Sequence, residues 1–196
     1  MGLSQTKISP ENYKKVLIIN PKFDSVTSID RRFMESKTSQ HFKTEFETYQ
    51  WKVEYLPNLL YTTINYNTFS SRESAYRKTL KQIYIQNTSQ RNFWIIHVKP
   101  SISPTEYDCV LSMPFGNHHA QNIANEIKDR LSKDFIYADV LSADDENDIT
   151  YEATTEYQFK NIIIIEISQK IKDEKMRYIV EIIVKWMNDN FNIYNK

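Results

Sequence analysis

The chain has 196 residues, with 25 Lys and Arg set against 25 Asp and Glu, so its formal net charge is zero. That balance leaves no basic surface for nucleic acid, and 40% hydrophobic with 13% aromatic residues excludes global disorder. The lone cysteine, Cys109, excludes an internal disulfide and a cysteine-based zinc site, and it implies a reducing, cytoplasmic setting.

Residues 1–12 read as a flexible polar arm, and residues 13–196 as one α/β domain with halves over 13–100 and 107–190. Met1-Gly2-Leu3-Ser4-Gln5-Thr6 fits the N-myristoylation pattern, with Gly2 as the acceptor. One acyl chain anchors only weakly, so membrane association is expected only if Gly2 is lipidated. No apolar run reaches membrane-spanning length, and the N-terminus has no signal-peptide core.

Lys15 to Asn20 is predicted to be a buried strand stopped by Pro21. Residues 28–48 carry Ile29, Phe33, Phe42 and Phe46 among charges, a helix that Ser28 would cap. Trp51 to Leu56 alternates as a half-buried strand, and Ser71 to Ile85 reads as a helix. Phe93–Val98 and Tyr107–Phe115 read as buried strands whose short connection, Lys99–Glu106, rules out a helical crossover. They are therefore antiparallel or in separate halves.

After Gly116, Ala120, Ile123, Ala124, Ile127 and Leu131 form a single helical stripe that Asn117 would cap. Phe135–Leu141 is the next strand, followed by an acidic loop, a short helix over Ile149–Gln158 and the β-branched strand Lys160–Ser168. Lys172–Asn190 closes as a helix. Strands alternating with helices predict an α/β fold, a mostly parallel three-layer sheet with helices on both faces.

In such a sheet, ligands sit beyond the carboxyl ends of the strands. Gly116 stands at one such end and is one of only two glycines in the chain. With Ser112, Phe115 and Asn117 it marks the candidate ligand-binding turn. There is no phosphate-loop, dinucleotide-binding or nucleophile-elbow motif, so no nucleotide fingerprint is present and no cofactor or metal is expected.

His118 and His119 open the next helix on diverging sides, and His97 reads as a satisfied core or sheet-edge histidine. Asp144, Asp145, Glu146 and Asp148 read as a solvated loop without calcium-loop spacing. Glu166 ends the most apolar strand, where a carboxylate is expensive unless it is paired or used.

Tyr107-Asp108-Cys109-Val110-Leu111-Ser112, Ser112-Met113-Pro114-Phe115, the strand ending at Glu166, and Arg177-Tyr178-Ile179-Val180-Glu181-Ile182 together resemble the Toll/interleukin-receptor domain and the related nucleoside deoxyribosyltransferases. The resemblance spans residues 107–187 and implies cleavage of an N-glycosidic bond in NAD⁺ or a nucleoside. It makes Glu181 the key catalytic carboxylate, supported by Glu166, with Tyr178 beside a nucleotide-like ligand. The layout of residues 107–187 also suits a phosphoribosyltransferase, although the acidic ribose-phosphate loop is absent at Glu166–Lys172.

The residues themselves favour another class, a non-catalytic interaction module or subunit of a larger assembly. Scarce glycine argues against flexible active-site loops, while thirteen tyrosines with Trp51, Trp94 and Trp186 suit a protein partner or a homo-oligomer.

Overall fold

The computed structural model describes residues 14–19, 29–56, 69–88, 93–99, 106–143, 150–168 and 170–194. The polar arm, Gly2, Asn20, Pro21, Ser28 and the acidic loop 144–148 lie outside them. The strands are β1 (Lys15–Ile19), β2 (Lys52–Leu56), β3 (Phe93–Lys99), β4 (Cys109–Pro114), β5 (Ala138–Ala143) and β6 (Ile162–Ile167). The helices are α1 (Ile29–Thr48), α2 (Phe69–Asn87), α3 (His118–Lys133), α4 (Tyr151–Thr155) and α5 (Asp173–Tyr194).

The strands form one sheet in the order β2-β1-β3-β6-β4-β5, so both halves of the sequence contribute to it. β1 lies parallel to β2 and β3, β3 to β6, and β4 to β5, as the α/β reading expects. One pairing departs from that rule: β4 runs antiparallel to β6. β3 and β4 therefore run in opposite directions with β6 inserted between them, which their short connection permits.

Helices cover both faces. On the first, α1, α5 and α3 pack over Val16, Ile18, Trp94, Ile96, Leu111, Ile163 and Ile165, with α5 between its two neighbours. On the second, α2 and α4 pack over Leu17, Ile19, Phe93, Ile95 and Ile162. Burial on both faces explains the continuous apolar runs of β1, β3 and β6, whereas edge strand β2 is exposed at Lys52 and half-buried from Val53 to Leu56. The α3 stripe is buried throughout, as its spacing dictates.

Helix ends show how this chain manages with so little glycine. After α3, Phe135 N–H bonds to Ser132 O at 3.1 Å and Ile136 N–H to Leu131 O at 3.2 Å. These two bonds make a helix-terminating motif whose left-handed residue is usually glycine; here it is Phe135, at φ 58°. Gln50 (φ 61°) does the same after α1, and Gln158 (φ 57°) follows α4. Left-handed positions are thus filled by ordinary side chains, and glycine count is no measure of how many sharp turns the fold contains.

Candidate active site

The reversal of β4 splits the sequence-based candidates between opposite edges of the sheet. Gly116 follows the carboxyl end of β4, whereas Glu166 lies near the carboxyl end of β6 and pairs with Val110, near the start of β4. A parallel pairing would have set these two ends side by side; the antiparallel one separates them.

At the glycine edge, the protein answers its own polar groups. Asn117 is buried and caps α3, its Oδ1 accepting from Ala120 N–H at 3.0 Å. Its Nδ2 donates to Lys160 O at 3.2 Å and to Phe159 O and Thr154 Oγ1 at 3.4 Å. His119 Nε2 lies 2.9 Å from Asn161 Oδ1, whereas His118 is exposed. Gly116 has φ +78°, and a Cβ built on it would meet nothing within 4 Å, so this glycine serves the left-handed turn and not a close packing contact. Phe115 is exposed and Ser112 is buried between Ile164 and Leu141.

Glu181 and Tyr178 belong to neither edge of the sheet. Glu181 is exposed on α5, where its charge reaches Glu45 and Tyr49 of the α1 segment. Tyr178 donates its hydroxyl to Asp134 Oδ1 at 3.2 Å, and the Asp134 charge, ahead of burial, raises its pKa.

The opposite edge gathers the carboxyl ends of β1, β3 and β6. Lys99 and Glu166, the last charged residues of two otherwise buried strands, pair directly in register. Strand alternation points both to the second face, about 4.8 Å apart in backbone. His97, 3% exposed, lies one pair deeper beside Ile164 and Ile19 on the same face. The row through Glu166 continues across Val110 to Asp139.

Asp108 ties the edge together. Its backbone oxygen accepts from Ser168 N–H at 2.9 Å, while its carboxylate takes Tyr137 N–H at 2.9 Å and Lys175 Nζ at 2.7 Å. Cys109 beside it is fully buried, and burial, then the charges of Asp108 and Glu166, pushes its thiol far up, as an inert core thiol requires. Among the described residues no group of three or more His, Cys, Asp or Glu could hold a metal ion.

Glu166 was legible in the sequence as an expensive carboxylate; Lys99 was not. Its signal was the same one, a charge ending a buried strand, but only the β3–β6 pairing makes the two a unit.

No family model and no curated protein matches the chain. Among solved structures, it is similar to the CwlD amidase from Clostridioides difficile, solved in complex with the GerS lipoprotein. The identity is 13%, with 92% of this chain and 98% of that one covered, at a TM-score of 0.52. It is likewise similar to N-formylglutamate amidohydrolase from Ralstonia eutropha JMP134, at 9% identity, 92% and 94% coverage and a TM-score of 0.51.

These likenesses concern the fold, and they correct the expected kinship with Toll/interleukin-receptor domains and deoxyribosyltransferases. The physical reason is the reversed β4, which parts the turn at Gly116 from Glu166. The same finding corrects the non-catalytic interaction module and, with it, the N-glycosidic hydrolase or transferase acting on NAD or a nucleoside. Among the solved structures it resembles along most of their length are an amidase and an amidohydrolase.

Proposed function

We propose that the chain hydrolyses an amide bond at the carboxyl edge of β1, β3 and β6, with Glu166 as the general base. The observation that carries this reading is the in-register pair Lys99–Glu166 at that edge, the position where open α/β sheets bind their ligands. The two amide-cleaving neighbours share the fold over 92% of the chain.

In this reaction Glu166 takes a proton from water, and the hydroxide oxygen bonds to the amide carbon. The Lys99 ammonium faces the negative charge that develops on the carbonyl oxygen. Glu166 then passes its proton to the nitrogen as the C–N bond breaks, releasing an amine and a carboxylate. His97, buried one pair deeper, closes the floor beneath the charged pair.

A cytosolic setting rests on the lone cysteine. No described helix is long and apolar enough to cross a membrane. A protein partner is part of the same proposal, supported by the lipoprotein bound to one neighbour.

The test is release of free amine from a panel of N-acyl amino acids and short peptides, followed by fluorescamine. The wild type releases amine, Glu166→Gln loses about 10²–10⁴-fold in rate with unchanged melting temperature, and Glu181→Gln keeps wild-type turnover. No release from any panel member, or full activity in Glu166→Gln, overturns the reading.

A further inference from the structure

The amino ends of β4 and β5 lie at the same sheet edge as the carboxyl end of β6, because β4 is antiparallel to β6. On the second face, the row Glu166, Val110, Asp139 crosses three strands, so Asp139 stands two strand spacings, about 10 Å, from Glu166. Tyr137 precedes Asp139 by two residues and shares its face by the strand period.

The Tyr137 ring stacks on Tyr107, with centroids 6.4 Å apart and planes 30° apart. Tyr107 donates its hydroxyl to Asp139, whose carboxyl is held below its usual range first by the Lys128 ammonium, at 2.9 Å, and then by Val140 N–H. The ring pair is therefore fixed from below, yet Tyr137 is 70% exposed.

The outer face of the Tyr137 ring is thus open to solvent, while Tyr107 beneath it is half-buried. Phe135, two residues earlier, is 93% exposed and held in the left-handed region. Both features cost stability: the exposed ring forgoes burial, and the backbone is disfavoured for a bulky residue. An uncovered aromatic platform beside a strand-end carboxylate points to a bound group.

The geometry points to Tyr107 and Tyr137 as a stacking subsite that selects amide substrates with an aromatic side chain next to the scissile bond. It rests on the amide-hydrolase reading of Glu166. Two strand spacings across and two residues along put Tyr137 about 12 Å from Glu166 in backbone. The glutamate side chain and the tyrosine ring span part of that distance, so a substrate with its amide carbon at the carboxylate can lay an aromatic substituent on the Tyr137 face.

The experiment compares N-acetylphenylalanine with N-acetylalanine by kcat/KM, and measures calorimetric binding of N-acetylphenylalanine amide to the Glu166→Gln protein with and without Tyr137→Ala. The wild type favours the phenyl substrate by about tenfold. Tyr137→Ala brings the ratio to about one through KM, and Tyr137→Phe retains it. Binding weakens by a similar factor with Tyr137→Ala.

Turnover with a ratio that Tyr137→Ala leaves unchanged overturns the subsite while the hydrolase reading stands. If nothing is hydrolysed, the hydrolase reading fails and the calorimetric arm decides the subsite: binding lost with Tyr137→Ala supports it, and absent or equal binding overturns it. Melting temperatures of the variants within about 2 °C of the wild type separate these outcomes from misfolding.

Discussion

The two edges of the sheet carry the chain's two most conspicuous local features, and they use them in opposite ways. At the glycine edge, Asn117 caps α3 and binds the segment before β6, so the polar groups of the turn are spent on holding α3 to the sheet. At the other edge, Lys99 and Glu166 pair in register near the ends of buried strands, with the exposed ring of Tyr137 two strands away. A conspicuous residue type therefore marks a constraint without saying whether the constraint serves folding or binding.

Substitutions can break that comparison. The largest effect is expected from Asn117→Ala, which removes a cap worth about 1 kcal/mol and takes a donor from the buried carbonyl of Phe159, while the Lys160 carbonyl keeps its bond from Ile162 N–H. The expected loss is about 2–3 kcal/mol in urea unfolding, with amide-cleaving activity per folded molecule unchanged. Full stability with lost activity would make the glycine edge the functional one.

Gly116→Ala comes next. Its Cβ has room, so only the left-handed backbone is penalised, at about 1 kcal/mol. Gly116→Asn costs less, because Asn tolerates that region. Equal stability of all three proteins would mean that the turn relaxes away from φ +78°.

Much of the fold was legible in the sequence because burial on both faces leaves an unbroken apolar run, as at Ile162–Ile165, and burial on one helical face leaves a stripe, as at Ala120–Leu131. Strand direction left no such trace. β6 is buried on both faces whether β4 beside it runs up or down, so its composition is the same in either case. That single sign decided whether Glu166 met Gly116 or faced away from it. Glycine scarcity misled for a related reason: Gln50, Phe135 and Gln158 adopt left-handed backbone without announcing it, so a chain poor in glycine is not poor in tight turns. Tyr137 lay outside any motif and Tyr107 only opened one, because a stacked pair is a property of neighbouring strand ends.

The smallest effect concerns Glu181, which sits at neither edge. Burial first, and then the Glu181 charge, raises the Glu45 pKa above 4.5. An acid whose folded-state pKa is raised favours the fold while protonated. Its contribution is full below the ordinary pKa and is lost as pH climbs through the raised value. At neutral pH the ionised Glu45 is therefore a cost, reduced by solvent because the site is partly exposed. Glu45→Gln should stabilise the protein at pH 7 by about 0.3 kcal/mol and leave it unchanged near pH 3, with Glu181→Gln recovering only part of that gain. Thermal unfolding at the two pH values reads the difference. If Glu45→Gln is instead destabilising at pH 7, the glutamate is held there by a favourable partner, and the α1–α5 face would join the two sheet edges as a third place where charge is kept for a purpose.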